Sequence, residues 1–240
     1  MSAPREPAVA IETAGLTKSY FDVPALEPLD LRVVEGERVT MIGHNGSGKT
    51  TLIRMLTGLL EPSGGTASVA GHDAGSIGAR AAVSYISDQP VFYDDLNVWE
   101  HLEYVARLHD TAGWEQHAVE LLDRLGLRSR AEDLPSTFSR GLKQKAAVAV
   151  AFVRPFEVLL VDEPFVGLDR VGRASLLELL AEAHDDGTTL VIATHELSTT
   201  DLGGRVIALA DGAMTYDGLP SGADVDALTI ERAEVPPDEA

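Results

Sequence analysis

The stretch Gly43-His44-Asn45-Gly46-Ser47-Gly48-Lys49-Thr50 follows the strand pattern ERVTMI and leads into the helical run TTLIRMLTGLL. Glycines, a lysine and a threonine at this spacing, between a strand pattern and a helix pattern, form a P-loop. The glycines let backbone N–H groups wrap a triphosphate, and the helix start adds a favourable partial charge. Lys49 would reach the β- and γ-phosphates, and Thr50 would ligate Mg²⁺. His44 is a loop residue to which a lone histidine assigns no role of its own. With Thr51, the nine residues from Gly43 onward make up the expected phosphate-binding set.

The rest of the chain agrees with a strand-and-helix alternation. Strand patterns fall at Val9–Thr13, Leu29–Val34, Arg38–Ile42, Thr66–Val69, Val83–Ser87, Val158–Val161, Thr188–Ala193, Arg205–Ala210 and Ala213–Asp217. The runs VLLV and LVIA are apolar throughout, as strands covered on both faces of a parallel sheet should be. From Asn97 to about Arg154 the pattern is helical only. Val98, Leu102 and Val105 recur at helical spacing, and Asn97 with Glu100 fits an N-capping pair. The expected fold class is α/β: a P-loop core with a mainly parallel sheet, a β-rich N-terminal portion and an inserted helical subdomain over about 97–154. One domain is expected over 1–220, with Trp99 and Trp114 serving its packing. The stretch through Pro7 and the acidic stretch over 221–240 read as flexible tails.

Composition removes several functions. A net charge of −19 argues against a phosphate-backbone partner, so no nucleic acid is expected. There is no cysteine, which excludes disulfides and thiolate metal sites. The N-terminus lacks the apolar core of a signal peptide, and no run approaches the roughly 18 apolar residues of a membrane span. A cytoplasmic chain is expected, peripheral to the membrane only through another chain that spans it.

A second chemical element lies at Val158-Leu159-Leu160-Val161-Asp162-Glu163-Pro164, an apolar strand ending in two acids. Asp162 would sit at the carboxyl edge of the sheet and hold the Mg²⁺ shell, while Glu163 would activate the attacking water. With these motifs in order, the chain from about Ile11 to Asp217 resembles the nucleotide-binding subunit of ATP-binding cassette (ABC) transporters. The resemblance implies ATP and Mg²⁺ as cofactors and carries further roles. Tyr20, in LTKSYFDVPAL, matches the aromatic residue that stacks on adenine. Gln89, in VSYISDQP, matches the glutamine that touches Mg²⁺ and senses the membrane partner. Asp169, in FVGLD, matches the aspartate that communicates across the dimer. His195, in LVIATHE, matches the switch histidine at the γ-phosphate, completing a catalytic set of Lys49, Glu163 and His195.

The segment Thr137-Phe138-Ser139-Arg140-Gly141-Leu142-Lys143-Gln144-Lys145 occupies the place of the family signature usually written LSGGQ. In the family this segment completes the site of the opposite subunit. Ser139 and Gly141 match its serine and second glycine, Leu142 replaces glutamine, and Arg140 replaces the first glycine. If that glycine served a left-handed backbone, arginine would cost roughly 1–2 kcal/mol. One P-loop and one signature imply a homodimer, or a heterodimer with a related subunit. The implied function is an ATP-hydrolysing subunit driving a separate integral-membrane permease, in the direction of export. The alternative is a soluble, non-transport ABC ATPase such as one of iron–sulfur cluster assembly.

Overall fold

The structure is a computed structural model that describes residues 8–195 and 204–222. The stretch through Pro7 lies outside the described residues, as does the acidic tail beyond its first two residues. Strands β1 (Val9–Tyr20) and β2 (Val23–Val34) form a long hairpin whose tip is Phe21 and Asp22. With β4 (Gly64–Val69) and β5 (His72–Asp73) they make an antiparallel sheet in the order β2-β1-β4-β5. The second sheet contains β3 (Arg38–Ile42), β6 (Val83–Ile86), β7 (Val158–Asp162), β8 (Thr189–Thr194), β9 (Arg205–Ala210) and β10 (Ala213–Gly218). Its order is β10-β9-β3-β8-β7-β6, and every pairing but β10 with β9 is parallel. The mainly parallel α/β core with a β-rich N-terminal portion is the architecture expected.

Each face of the parallel sheet has its own apolar layer. On one side α1 (Lys49–Leu56) lies between the two sheets, with Leu52, Ile53 and Leu56 packed among Ile11, Leu31, Met41 and Leu160. On the other side lie α3 (Val98–Leu108), α4 (Trp114–Arg124), α5 (Arg140–Phe152) and α6 (Arg170–Asp185), after the short α2 (Ile77–Ala82). Leu102, Leu121 and Val148 from these helices join Ile86, Val161 and Ile192 of the sheet in one continuous cluster. Full burial of each such side chain is worth about 1.5–3 kcal/mol, so the inserted helices are held by the same core as the strands. Trp99 and Trp114 meet inside this layer, with ring centroids 5.2 Å apart.

Local signals explain the helix starts. Asn97 accepts the Glu100 N–H at 2.9 Å, and Glu100 accepts the Asn97 N–H in return at 2.8 Å, a complete capping box. Asp169 caps α6 through the Gly172 N–H at 2.7 Å. Buried Arg154, just past α5, donates to the carbonyls of Ala81, Arg80, Val83 and Pro155, stapling the helical insert to the start of β6. Among the described residues, no helix is long and apolar enough to cross a membrane.

Candidate active site

Register places the chemistry. Ile42 of β3 pairs with Thr194 of β8, and Asp162 of β7 pairs with Ala193. The residues that follow these pairs therefore emerge together at the carboxyl edge: Gly43, Glu163 and His195. In an open parallel sheet this edge is where ligands bind.

The loop from Gly43 to Gly48 can be built only from small residues at two of its positions. Gly43 has φ 154°, and a Cβ there would lie 2.2 Å from the Leu209 carbonyl oxygen. Gly48 caps α1 with φ 106°, and its Cβ would meet the Ala25 carbonyl at 3.0 Å. The loop is thus gripped by the β9 strand on one side and β2 on the other. Gly212 in the β9–β10 turn adds a bond from its N–H to the Ser47 carbonyl at 3.1 Å, and His44 pairs with Asp211 at 3.4 Å. Lys49 is 5% exposed, and its ammonium donates to the carbonyls of Gly43 at 2.6 Å and His44 at 3.0 Å. Burial pulls this ammonium below its ordinary pKa, while Glu163 and Asp162 hold it up in part. Thr50 and Thr51 follow, half-buried, on the first turn of α1.

Asp162 is wholly buried, yet neither carboxylate oxygen has a hydrogen-bond partner among the described residues. Burial, then the nearby negative charges of Asp88 and Glu163, push its pKa from 3.8 up to about 6, against the Thr50 hydroxyl and Lys49. The hydroxyl lies beside the carboxylate without completing a hydrogen bond. An orphaned buried carboxylate next to a hydroxyl, facing a phosphate-wrapping loop, is a donor set suited to a hard cation such as Mg²⁺.

Glu163 has φ 47°, a left-handed conformation that a side-chain-bearing residue adopts at a cost of about 1–2 kcal/mol. Its backbone N–H is fixed by the Ala193 carbonyl at 2.9 Å. The strained turn aims its carboxylate at His195, Oε1 to Nδ1 2.8 Å. The structure therefore brings Lys49, Asp162, Glu163 and His195 to one edge. Tyr20 stands apart at the hairpin tip, half exposed, with the Lys18 ammonium 5.4 Å from its ring centroid. Gln89 lies after β6 with its side chain exposed and its amide donating to Asp88 at 3.3 Å.

The Ser139–Leu142 segment begins α5. Ser139 is the N-cap, its hydroxyl accepting the Leu142 N–H at 3.4 Å. Arg140 is the first helical residue, in ordinary right-handed geometry, so the strain that a left-handed arginine would bring does not arise. The glycine that the structure requires is the next one. A Cβ on Gly141 would lie 2.3 Å from the Gly167 carbonyl oxygen, in the turn before α6. Lys145, one turn on, pairs with Asp169 at 3.0 Å. The Gly172 N–H, then Lys145, hold the Asp169 carboxyl below its usual range.

The sequence assigns no site role to Gln144, which only continues the signature segment, or to Asp88. Gln144 is 1% exposed and donates to the Ser87 carbonyl at 3.3 Å, tying α5 to the Gln89 loop. Its signal was a polar residue on the apolar side of a helix. Asp88 carried no signal beyond its nearness to Gln89.

The two-sheet core, with a glycine-gripped loop and a strand-end carboxylate at its edge, defines a P-loop nucleoside triphosphatase. The family described as ABC transporter matches residues 26–166. The uncharacterized ABC transporter ATP-binding protein YdbJ of Bacillus subtilis is 36% identical over 98% of this chain and 76% of its own length. The daunorubicin/doxorubicin resistance ATP-binding protein DrrA of Streptomyces peucetius is 35% identical, over 89% of this chain and 66% of its own. Members 7 and 2 of mammalian ATP-binding cassette sub-family A also match, and the chain spans only 11% and 9% of their lengths.

Among solved structures, an ATP-binding subunit of an ABC transporter superposes with TM-score 0.84 at 31% identity, covering 91% of this chain and 97% of its own. An ATP-binding cassette solved as a post-hydrolysis dimer with ADP and Pi gives TM-score 0.79 at 25% identity, covering 88% of this chain and 98% of its own. The chain belongs to the ABC transporter family, as one of its ATP-binding, ATP-hydrolysing members.

Proposed function

We propose that the chain hydrolyses ATP between two copies of itself, or with a related subunit, and so drives a separate membrane-spanning permease in the direction of export. The observation that carries this reading is the Glu163–His195 pair, held at 2.8 Å by a strained turn beside Lys49 and the P-loop. The P-loop amides and the Lys49 ammonium bind and orient the phosphates, and Tyr20 supports the adenine. Thr50 and Asp162 would hold Mg²⁺, which when bound neutralises charge on the phosphate oxygens. Glu163 orients the attacking water and accepts its proton, and His195 fixes that carboxylate and reaches toward the γ-phosphate. Ser139 to Leu142 contribute from the opposite chain, and Asp169, capping α6 beside Gly167, relays closure.

Coupling to a permease is supported by a groove of about 850 Å³ between α3, α5 and the Gln89 loop. Val91, Ile77, Leu108 and Tyr104 present exposed apolar surface along it. Gln89 lies at its rim, placed to transmit the groove's occupancy to the edge of the sheet. Export is supported by likeness to a protein named for daunorubicin/doxorubicin resistance, and a cytoplasmic, membrane-peripheral location by membership of the ABC transporter family as an ATP-binding chain.

Glu163→Gln keeps the turn and removes the base. It is expected to bind ATP, to hydrolyse at least about 100-fold more slowly, and to accumulate as an ATP-bound dimer on gel filtration. A variant with full turnover would remove Glu163 from this role. Affinity purification from membranes should bring down an integral-membrane partner.

A further inference from the structure

Asp162 has an acidic neighbour besides Glu163. Strands β6 and β7 run parallel with Ile86 opposite Val161, so the chain leaving β6 passes alongside Asp162. Ser87 and Asp88 are the residues at this place, one step before Gln89. Their path is fixed from several sides. Buried Gln144 donates to the Ser87 carbonyl at 3.3 Å, and the Gln89 N–H donates to the Ser87 hydroxyl oxygen at 3.2 Å. That hydroxyl in turn donates to Asp88 Oδ1 at 3.3 Å. The Gln89 amide, on an exposed side chain, donates to Asp88 Oδ2 at 3.3 Å and is thereby engaged. Asp88 is half-buried, holds only these long bonds among the described residues, and lies close enough to act on Asp162 as a like charge. Asp162 is 0% exposed and both of its oxygens lack partners among the described residues. Two carboxylates so placed repel each other until a cation joins them.

We infer that Asp88, rather than Gln89, is the loop residue facing the cation side of the nucleotide site, so that the divalent ion meets two carboxylates, Asp88 and Asp162. The inference rests on the nucleotide-site reading above. An anionic oxygen in place of a neutral amide changes the charge balance in two opposite ways. A triphosphate lacking its cation is repelled, and one carrying its cation is held more firmly. The chain then discriminates metal-bound from free nucleotide more sharply than a single buried carboxylate allows.

The test uses a fluorescent ATP analogue, bound once in EDTA and once in saturating Mg²⁺, together with Mn²⁺ binding read by electron paramagnetic resonance in the presence of a non-hydrolysable ATP analogue. Asp88→Asn is expected to bind the metal-free analogue about tenfold more tightly and Mn²⁺ about tenfold more weakly. Asp88→Glu, which restores the charge, should keep Mn²⁺ affinity within about threefold of the parent. A loss of similar size in EDTA and in Mg²⁺ would mean a structural role and overturn the inference. So would an unchanged Mn²⁺ affinity in Asp88→Asn, or a Mn²⁺ loss found in Gln89→Ala alone. Failure of the parent chain to bind either form of the analogue would sink the nucleotide-site reading itself, and this inference with it.

Discussion

Replacing Asp162 by asparagine should make the nucleotide-free protein more stable, and by an amount that depends on pH. The folded-state pKa of this buried carboxyl stands near 6 against an ordinary 3.8, chiefly through burial, with Asp88 and Glu163 adding repulsion. The unfolded chain therefore loses its proton first as pH rises. Between the two values the native state binds more protons than the unfolded state, and stability falls with rising pH. The contribution is fully present below about pH 4, is lost as pH rises through 6, and amounts at completion to about 3 kcal/mol at ~1.4 kcal/mol per unit. The amide of the Asp162→Asn variant does not titrate and carries no such dependence. Urea unfolding followed by circular dichroism, in EDTA and without nucleotide, measures both proteins at several pH values. Carboxyls remote from position 162 titrate equally in both, so the difference between them reports position 162 together with its coupling to Asp88, Glu163 and Lys49. That difference should widen in favour of the variant by about 1.4 kcal/mol from pH 5 to pH 7.5. Mg²⁺ with ATP should stabilise the parent and do much less for the variant. A difference that is flat with pH, or one favouring the parent throughout, would refute the picture of an uncompensated buried carboxylate.

Gly141→Ala puts a methyl 2.3 Å from the Gly167 carbonyl, so α5 and the turn before α6 must part. Thermal melting should show a loss of about 1–3 kcal/mol, and ATP-driven dimerisation of a Glu163→Gln background should weaken, whereas Arg140→Gly should change stability by less than about 1 kcal/mol. Arg154→Ala strips the guanidinium from the carbonyls it satisfies around the start of β6. Denaturant unfolding should register a loss of about 2–4 kcal/mol, with ATP affinity of the folded fraction unchanged.

The parallel strands were legible because burial on both faces leaves an unbroken apolar run: Val158–Val161 and Thr188–Ala193 were placed within a residue or so of β7 and β8. The hairpin outruns its sequence pattern toward the tip: β1 continues from Thr13 to Tyr20, and β2 begins at Val23 instead of Leu29. Gly15, Pro24 and Pro28 interrupt the alternation of β1 and β2, whose register slips at several points. The two-residue β5 and six-residue α2 are too brief for any periodicity to show. The site divides the same way. The P-loop and Asp162–Glu163 carry their chemistry in adjacent residues, so spacing exposes them. The demand for glycine at 141 comes from Gly167, a contact made only by the folded chain, and the sequence directed attention to Arg140 instead. Asp88 and Gln89 are neighbours of which the fold half-buries the first and leaves the second exposed, and no one-dimensional pattern separates them.

The left-handed turn at Glu163 has an evolutionary consequence. Glycine is comfortable at φ 47° and would relieve most of the cost that glutamate bears there. Glutamate and glycine codons differ by one base. On the role proposed for Glu163, a lineage of this chain that ceased to need hydrolysis would find the change to glycine both accessible and thermodynamically downhill. Glutamate at 163 bears about 1–2 kcal/mol that selection for stability alone would remove, and on the catalytic role proposed for it that cost is tied to turnover.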